Sequence, residues 1–550
     1  GTLMVQSITI ETASQENKQV RRIRITGWIL FCVVLMAVGS GVAGMGLTWD
    51  ESMAHFWGSE VFRAWLSNAW DILIAGQWSI LWDPAFHEIF WPPVTPENQK
   101  FFNFNYHPAL TRILPTITWF LFHGWFGDVV AYRMAPAILF ALAVMAVFRV
   151  MARRFDSATG LFAALSLALM PRVFGHAHIA ATDTAMMAFW LFAVVAFYKG
   201  LEDKRWSYGF AVLLGLAFSV KFTGVLIPLA LILYMILARE KRAWRNVAVA
   251  AVISPVILIA LNPAWWVDPF SGVFTHYLQT ALSRDQFVPT PAYYLGELYP
   301  VHAPWHYSLV MTAVTVPVTI LFFVLWGAVL GIKQRADKWV LLVLSQLIFY
   351  YLILVLPLSP DYDGVRLFLP VFPFLACLAG LGYRGLRGWV FRNMDRWPVL
   401  IKWGKARIVA LLFLIAFTWP AIQLAKFHPF YLEYYNGLTG GVAGANRAGF
   451  ETTYWFDTVV PSVRDEINQF PPNSRVGLLP PVVDYLRYMQ DHGLLRQDLI
   501  FTRTDMDYII LLPRQSKFQD FIWDMYYRQE PMFKLSLDGV PLLLIYRNQD

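Results

Sequence analysis

Long runs of apolar residues with almost no charge recur along most of the chain. The first, at 27–47, reads GWILFCVVLMAVGSGVAGMGL and contains no Asp, Glu, Lys or Arg. A helix of about 18 or more such residues can cross the hydrocarbon core of a bilayer. Hydrophobic residues make up 57% of the chain and charged ones only 15%, whereas soluble domains carry about a quarter charged residues. The sequence therefore predicts a polytopic α-helical membrane protein.

The distribution of basic residues predicts how the spans alternate. The basic segment KQVRRIR (18–24) precedes the first span, at roughly 24–47, which places the N-terminus in the cytoplasm. The later basic loops all fall on the cytoplasmic side if 107–122 is a helix that lies at the interface and does not cross. This arrangement gives about eleven transmembrane helices, the last near 407–425. These loops account for the formal net charge of +7, so we expect membrane lipids, and no nucleic acid, as partners.

The pattern of apolar and polar residues changes after the last span. Short strand-like runs such as NSRVGLLP and DYIILLP alternate with helical spacing in PVVDYLRYMQDHG, and Asp538-Gly539 predicts a hairpin turn. We divide the chain into a cytoplasmic tail at 1–23, of which 1–3 are a cloning remnant, a transmembrane domain at 24–425 with a first outer loop at 48–127, and a small periplasmic α/β domain at 426–550. Interfacial helices are expected on the outer face, at about 51–75 and 107–122.

Two adjacent carboxylates, Asp50 and Glu51, follow the first span directly, in GMGLTWDESMAHFWG (44–58). Charged residues at this depth are costly and are commonly functional. The alternative is a helix cap, because Asp at the cap and Glu in the first turn favour a helix that begins here. Capping would not exclude catalysis.

A second group of polar residues lies in PRVFGHAHIAATDTAMMAFW (171–190). Arg172, His176, His178 and Asp183 all fall in one short outer loop between two spans. His-x-His followed by Asp could hold a divalent metal ion. The histidines could equally bond phosphate or sugar hydroxyls, and Asp183 could cap the outgoing helix.

Cations also reach the outer face. Lys221, in LAFSVKFTGVL, lies between two apolar helical runs, and Arg366 follows two acids in PDYDGVRLFLPVFP. Either could hold an anionic group. The alternatives are snorkelling of Lys221 to the headgroups and pairing of Arg366 with Asp361 or Asp363.

The order of these motifs resembles the GT-C membrane glycosyltransferases, specifically the bacterial branch similar to protein O-mannosyltransferases and lipid A aminoarabinose transferases. The shared features follow the chain and cover roughly 24–440. They are the acidic pair after the first span, HPAL (107–110), Arg133 with Pro136, the short loop carrying Asp183, KFTG (221–224), GVRLFLPVFPFLACLAG (364–380) and HPFYLEYYNGLTGG (428–441).

The resemblance implies an inverting glycosyltransferase with a polyprenyl-phosphate-linked sugar donor. It implies a catalytic role for Asp50, with Glu51 as its neighbour, and for Asp183. It implies that Lys221 and Arg366 face the donor phosphate, and we add Arg172, His107, His176 and His178 as candidate substrate-binding residues. The acceptor would be a lipid, a glycan or a protein. The enzyme would lie in the bacterial inner membrane, with its active site and C-terminal domain periplasmic.

A polytopic transporter or lipid flippase is the rival interpretation, since it would also place charges in a cavity. Alternating access favours a site at the membrane midplane and paired broken helices. Here the unusual polar residues gather at one face, and no internal repeat is present.

Overall fold

The computed structural model describes residues 2–91, 107–282, 290–357 and 359–548. The described residues up to Lys426 are mostly helical, as expected of apolar runs that must satisfy their backbone groups within a bilayer. The helices are α1 (Thr2–Gly41), α2 (Phe56–Ile74), α3 (Pro84–Glu88), α4 (Leu110–Phe126), α5 (Asp128–Arg154), α6 (Ser157–Ala168), α7 (Pro171–His176), α8 (Thr182–Gly200), α9 (Arg205–Phe218), α10 (Leu226–Ala238), α11 (Ala243–Ala260), α12 (Tyr307–Thr315), α13 (Val318–Lys333), α14 (Lys338–Leu354), α15 (Phe372–Arg392) and α16 (Pro398–Lys426).

Several of these helices are candidate membrane spans. Among the described residues, five stretches are long and apolar enough to cross a membrane, and the pair α13 and α14, bent by 120°, makes up to six. The five are Glu16–Gly41, Asp128–Arg154, Ala243–Ala260, Arg366–Arg392 and Ile401–Lys426. Shorter apolar helices cover Ser157–Ala168 and Phe222–Ala238. The figure of about eleven spans stays a prediction.

The two segments expected at the outer interface are helical. Helix α2 covers most of the stretch expected at about 51–75, and α4, from Leu110 to Phe126, covers most of the one expected at 107–122. They pack closely, because Ser59 Oγ donates to the Arg112 carbonyl at 3.2 Å and Thr116 Oγ1 donates to the Ser59 carbonyl at 3.1 Å. Their position relative to a bilayer stays a prediction.

The C-terminal region folds around a five-stranded mixed sheet. Its helices and strands are α17 (Gly441–Arg447), α18 (Pro461–Ile467), β3 (Arg475–Leu479), α19 (Val483–Asp491), β4 (Ile500–Phe501), β5 (Tyr508–Leu511), α20 (Asp520–Arg528), β6 (Phe533–Leu537) and β7 (Val540–Arg547), after a small earlier hairpin of β1 (Ala292–Tyr294) and β2 (Glu297–Tyr299). The strand order is β4-β3-β5-β7-β6.

The connections in this sheet follow from the strand directions. Strand β3 is parallel to both β4 and β5, and parallel neighbours need a crossover such as α19. Strands β6 and β7 are antiparallel and joined by Asp538 and Gly539, both at positive φ, as a tight hairpin turn requires. The strand runs, the helical segment and this hairpin are confirmed, while the domain boundaries and the periplasmic location stay predictions.

The C-terminal region packs directly onto the helical part of the chain. Leu47, Phe56 and Tyr132 belong to the same buried apolar cluster as Val476 and residues of α19. The hydroxyl of Tyr485 on α19 donates to the carbonyls of Leu47, at 2.8 Å, and Phe456, at 2.9 Å. The segment that carries Asp50 is therefore held between the two parts of the protein.

Candidate active site

Arg366 is the centre of a buried cluster of charged side chains. It lies at the start of a short helical turn, Arg366–Val371, that leads into α15. Its three nitrogens donate to three different carboxylates: Nη2 to Asp50 Oδ2 at 2.5 Å, Nε to Asp183 Oδ2 at 3.1 Å, and Nη1 to Asp363 Oδ2 at 2.9 Å. One guanidinium thus joins residues that lie far apart in the sequence.

Asp183 has a partner at each of its oxygens. It lies in the first turn of α8, as expected from the sequence. Its Oδ1 accepts from Lys221 Nζ at 2.8 Å, while its Oδ2 accepts from Arg366. Lys221 reaches it from extended backbone between α9 and the turn Phe222–Val225. Lys221 is therefore an ion-pair partner inside the protein.

Asp50 uses only one of its oxygens for bonds to protein. Oδ2 accepts from Arg366 and from the indole Nε1 of Trp455, the latter at 3.0 Å. No residue in the described ranges donates to Oδ1. The side chain of Asp50 is 11% exposed, compared with 2% for that of Asp183. Asp50 therefore has an acceptor oxygen available for another molecule, and Asp183 does not.

The histidine one turn further on faces the same cluster. His55 ends the π-helical turn Glu51–His55 and is buried. Burial lowers the pKa of His55 to about 4, and the nearby guanidiniums of Arg112 and Arg366 lower it further, against the effect of Asp50. His55 is consequently neutral beside Asp50 at physiological pH.

Glu51 points away from this cluster into a buried ion pair with Arg133. Its Oε1 and Oε2 accept from Arg133 Nε, at 2.8 Å, and Nη2, at 2.6 Å, and both side chains are fully buried. Oε2 also accepts from the backbone N–H of Thr48, whose Oγ1 accepts from the N–H of Glu51. This reciprocal pair is a capping box, which the Thr-x-x-Glu spacing of TWDE already signals. Oε1 accepts further from the N–H of Ala180, at 2.9 Å.

A cavity of about 420 Å³ opens beside the cluster. Lys221 and Arg366 lie on its wall, together with His107, and the other lining residues are largely apolar, including Phe222, Leu226 and Leu367. A cavity with two cations at one side and apolar walls elsewhere suits a ligand with an anionic head and an apolar chain.

His176 and His178 lie on different sides of their loop. His176 faces the Trp455 ring, 5.3 Å between centroids, and burial lowers its pKa to about 3. His178 packs against Tyr431, 5.2 Å between centroids, with its Nδ1 2.8 Å from the Phe174 carbonyl. Across the part of the chain that the structure describes, no three His, Cys, Asp or Glu side chains come together as metal ligands. The hypothesis of a metal held by His176, His178 and Asp183 finds no such geometry.

Arg172 does not line the cavity. It is buried, its Nε donates to the Tyr434 carbonyl at 2.9 Å, and its guanidinium lies over the Tyr435 ring, 4.4 Å from the centroid. Of the nine candidate residues from the sequence, four meet in the cluster: Asp50, Asp183, Lys221 and Arg366. His107 joins them at the cavity wall, and His176 lies behind Trp455.

The structure adds three residues to the cluster. Asp363 was expected only as an alternative partner of Arg366, and that pairing is confirmed. Trp455 and Arg514 come from the C-terminal region, and Arg514 Nη2 donates to Asp363 Oδ1 at 2.7 Å. Nothing in their local sequence signals this position, because only the packing of the C-terminal region brings them here.

The chain is similar to the GT-C superfamily membrane glycosyltransferases, as the sequence resemblance implied. Residues 107–266 match the family model described as dolichyl-phosphate-mannose-protein mannosyltransferase. The matched segment includes His107, Asp183 and Lys221.

Among solved structures, the chain is similar to ArnT from Cupriavidus metallidurans bound to undecaprenyl phosphate. The TM-score is 0.50 at 14% sequence identity, covering 94% of this chain and 98% of that one. It is also similar to the oligosaccharyltransferase AglB from Archaeoglobus fulgidus in complex with an inhibitory peptide and a dolichol-phosphate, with a TM-score of 0.44, 12% identity, and coverage of 74% and 61%. A comparison with curated protein sequences gave no match. The fold is that of a multi-pass membrane protein.

Proposed function

We propose that this chain is an inverting glycosyltransferase that moves a sugar from a polyprenyl-phosphate donor to an acceptor hydroxyl at the outer face of the bacterial inner membrane. The observation that carries the proposal is the position of Arg366. It lies on the wall of the cavity and also bonds Asp50, whose second oxygen is open. The family match and the likeness to ArnT, solved with undecaprenyl phosphate, support it.

Lys221 and Arg366 hold the donor phosphate in this proposal. Both cations face the cavity, and both are anchored by Asp183, which fixes their direction. Charge-assisted hydrogen bonds to phosphate oxygens stabilise the negative charge that develops as the sugar–phosphate bond breaks. The apolar cavity wall receives the start of the prenyl chain.

Asp50 is the base for the incoming hydroxyl. Its Oδ1 takes the hydroxyl proton as the acceptor oxygen forms a bond to the anomeric carbon. The bond between that carbon and the phosphate oxygen breaks, and the phosphate leaves with the electron pair. A single displacement of this kind inverts the anomeric configuration, and a phosphate leaving group needs no strong general acid.

The other candidates have supporting roles. Asp183 positions Lys221 and Arg366, with both its oxygens in bonds to them. Glu51 is a positioning residue, because the buried pair with Arg133 and the bond from Ala180 hold the Asp50 turn against the loop before α8. His107 contributes to the cavity wall. Arg172 and His178 support the loop before α8 and do not line the cavity.

The aromatic helices of the first outer loop form a second boundary of the site. Trp57, Arg112 and Trp265 surround a small cleft that shares His107 with the main cavity. Beyond it, Phe62, Ile113 and Trp266 line an apolar groove of about 280 Å³. We assign this side to the acceptor, which is a lipid, a glycan or a protein.

The test is transfer by the purified protein in lipid nanodiscs, with polyprenyl-phosphate-linked mannose and a panel of other linked hexoses and pentoses as donors. Lipid extract, glycan and peptide serve as acceptors. We expect release of free polyprenyl phosphate and a product whose anomeric configuration is opposite to that of the donor. A transporter or flippase would instead move the donor across the bilayer without cleaving it, and intact donor throughout the panel would contradict the proposal.

A further inference from the structure

The C-terminal region supplies two side chains to the charged cluster. Trp455 lies in the segment after α17, and Arg514 follows β5. Both are buried, Trp455 fully and Arg514 with 2% exposure. A module that serves only for docking would have no reason to extend buried polar groups this far into the membrane domain's cluster.

Trp455 fixes the orientation of the Asp50 carboxylate. Its indole N–H donates to Oδ2, the same oxygen that Arg366 Nη2 bonds. The face of its ring lies 4.2 Å from the Arg366 guanidinium carbon, close enough for a cation–π contact. Its own carbonyl accepts from the N–H of Trp49, at 3.3 Å, so the two segments are held side by side. With Oδ2 bonded twice, Oδ1 is the oxygen that remains open among the described residues.

Arg514 reaches the cluster through Asp363. Its Nη2 bonds Asp363 Oδ1, while Asp363 Oδ2 bonds Arg366 Nη1. Asp363 and Gly364 both have positive φ, 55° and 64°, and this turn presents the carboxylate between the two guanidiniums. A side chain at Gly364 would also meet Arg172, since its Cβ would lie 2.5 Å from Arg172 Nη1.

Arg514 also balances the charges of the carboxylates and cations that are joined by direct ion pairs in this cluster. Asp50, Asp183 and Asp363 contribute three negative charges, and Lys221, Arg366 and Arg514 contribute three positive ones. Removal of one buried cation would leave an uncompensated negative charge, which opposes ionisation of every carboxyl in the cluster.

We propose that Arg514 is a positioning residue, which acts through Asp363 and Arg366, and that with Trp455 it makes the C-terminal domain an obligatory part of the active site. This inference rests on the proposed function. It assigns the C-terminal domain a role in controlling the charge state and direction of the base.

The experiment is a pH–rate profile for Arg514→Gln, Asp363→Asn and the double variant, in the full-length protein with polyprenyl-phosphate-linked mannose or whichever donor of the panel is cleaved. The groups that face Asp50 are Arg366, Asp183, His55 and Trp455. Glu451, whose pKa burial raises to about 7, and Lys517 both lie near Arg514 and Asp363. All six are unchanged in these variants. Arg487→Gln, in an exposed pair with Asp484 on α19, is the matched control.

Loss of the Arg514 charge should move the acidic limb of kcat/KM to higher pH, by about half a unit or more, and should lower kcat at neutral pH. Asp363→Asn should move the limb to lower pH. The double variant, neutral again, should return close to the wild-type limb, and Arg487→Gln should leave it in place. If Arg514→Gln does not fold, the opposite shift of Asp363→Asn still tests the inference.

A lower rate without any movement of the acidic limb in these variants would mean a purely structural role. That result would overturn this inference and leave the proposed function standing.

The variant Trp455→Phe is a second test, since it keeps the aromatic face and removes the N–H. We expect a fall in kcat with little change in KM. Unchanged kcat would contradict the role of Trp455. A wild-type protein that cleaves no donor would overturn the proposed function, and this inference with it.

Discussion

The guanidinium of Arg366 bonds Oδ2 of Asp50 through Nη2, at 2.5 Å, although 316 positions separate the two residues in the sequence. The bond connects the segment that follows α1 to the helical turn Arg366–Val371, which leads into α15. It leaves Asp50 Oδ1 open and places this carboxylate next to a cation that also borders the cavity. In the proposed reaction, the group that holds the leaving phosphate therefore also orients the group that deprotonates the acceptor.

Lys221 should contribute directly to the retention of a lipid phosphate. Lys221→Gln removes a charge-assisted contact, and we expect the dissociation constant for polyprenyl phosphate to rise by about tenfold or more. Native mass spectrometry or calorimetry in detergent would measure it. Lys338→Gln is the control, since Lys338 is an exposed lysine that also pairs with a carboxylate, that of Glu240. Equal affinity of the two variants would remove Lys221 from the phosphate site.

Glu51 should matter for folding more than for chemistry. Glu51→Gln leaves Arg133 as a buried charge without its counter-ion, which costs about 3–5 kcal/mol in comparable cases. We expect a clear fall in the temperature of unfolding in detergent. Asp484→Asn, in an exposed pair, should cost no more than about 1 kcal/mol. A stable Glu51→Gln protein with no transferase activity would instead favour a catalytic Glu51.

Two buried carboxyls near the site should make stability depend on pH. None of the four oxygens of Glu433 and Asp457 accepts a hydrogen bond from any residue that the structure describes. Burial raises the pKa of both groups. The Asp457 carboxylate raises the pKa of Glu433 further by repulsion, and the Glu51 carboxylate does the same for Asp457. A carboxyl with a raised pKa in the folded state stabilises the protein at low pH, and this contribution is lost as the pH rises through that pKa.

The variant Asp457→Asn, which has no titrating carboxyl at this position, should therefore lose less folding stability as the pH rises. We expect the wild-type protein to lose more stability than Asp457→Asn when thermal unfolding is compared between pH 5 and pH 8. An infrared band of a protonated carboxyl near neutral pH, absent from the variant, would support the same assignment. Parallel pH dependence in the two proteins would contradict it.

The ion pair between His492 and Glu60 should also make stability fall as the pH rises. Here the charged form of the side chain, not the neutral one, is favoured in the folded protein. His492 Nε2 lies 3.2 Å from Glu60 Oε1 and joins the C-terminal domain to α2. The hydrogen bond to Glu60 raises the pKa of His492. Because the charged imidazole is favoured in the folded state, its contribution is present below the ordinary pKa and is lost as the pH rises through the raised one.

His492→Gln should accordingly lower stability at pH 5.5 and have little effect at pH 8.5. Thermal unfolding at both values would check this, with Glu60→Gln expected to behave alike. The effect should be modest because both side chains are partly exposed. A difference from wild type that is larger at pH 8.5 would contradict the assignment.

The sequence was sufficient to bring four residues to one site. The predicted alternation of the spans places Asp50, Asp183, Lys221 and Arg366 on the same side of the membrane, so their proximity was expected from the sequence. The hairpin at Asp538-Gly539 was equally predictable, because few residue pairs adopt its backbone angles.

Other features depend on tertiary packing that local patterns do not encode. Asp50 and Glu51 are adjacent, yet successive residues in a helical turn point about 100° apart, so one reaches Arg366 and the other Arg133. His176 and His178 separate in the same way. Trp455 and Arg514 reach the cluster only because the C-terminal region packs on the helical part, and the Thr-x-x-Glu spacing was the one local signal for the role of Glu51.

The measurement that tests the central claim most directly is the single-turnover rate of sugar transfer by Asp50→Asn with the donor already bound. The substitution keeps the size of the side chain and removes its basicity. We predict a loss of about a hundredfold or more, with polyprenyl phosphate still bound and with Asp484→Asn unaffected. A wild-type rate in Asp50→Asn would contradict the account.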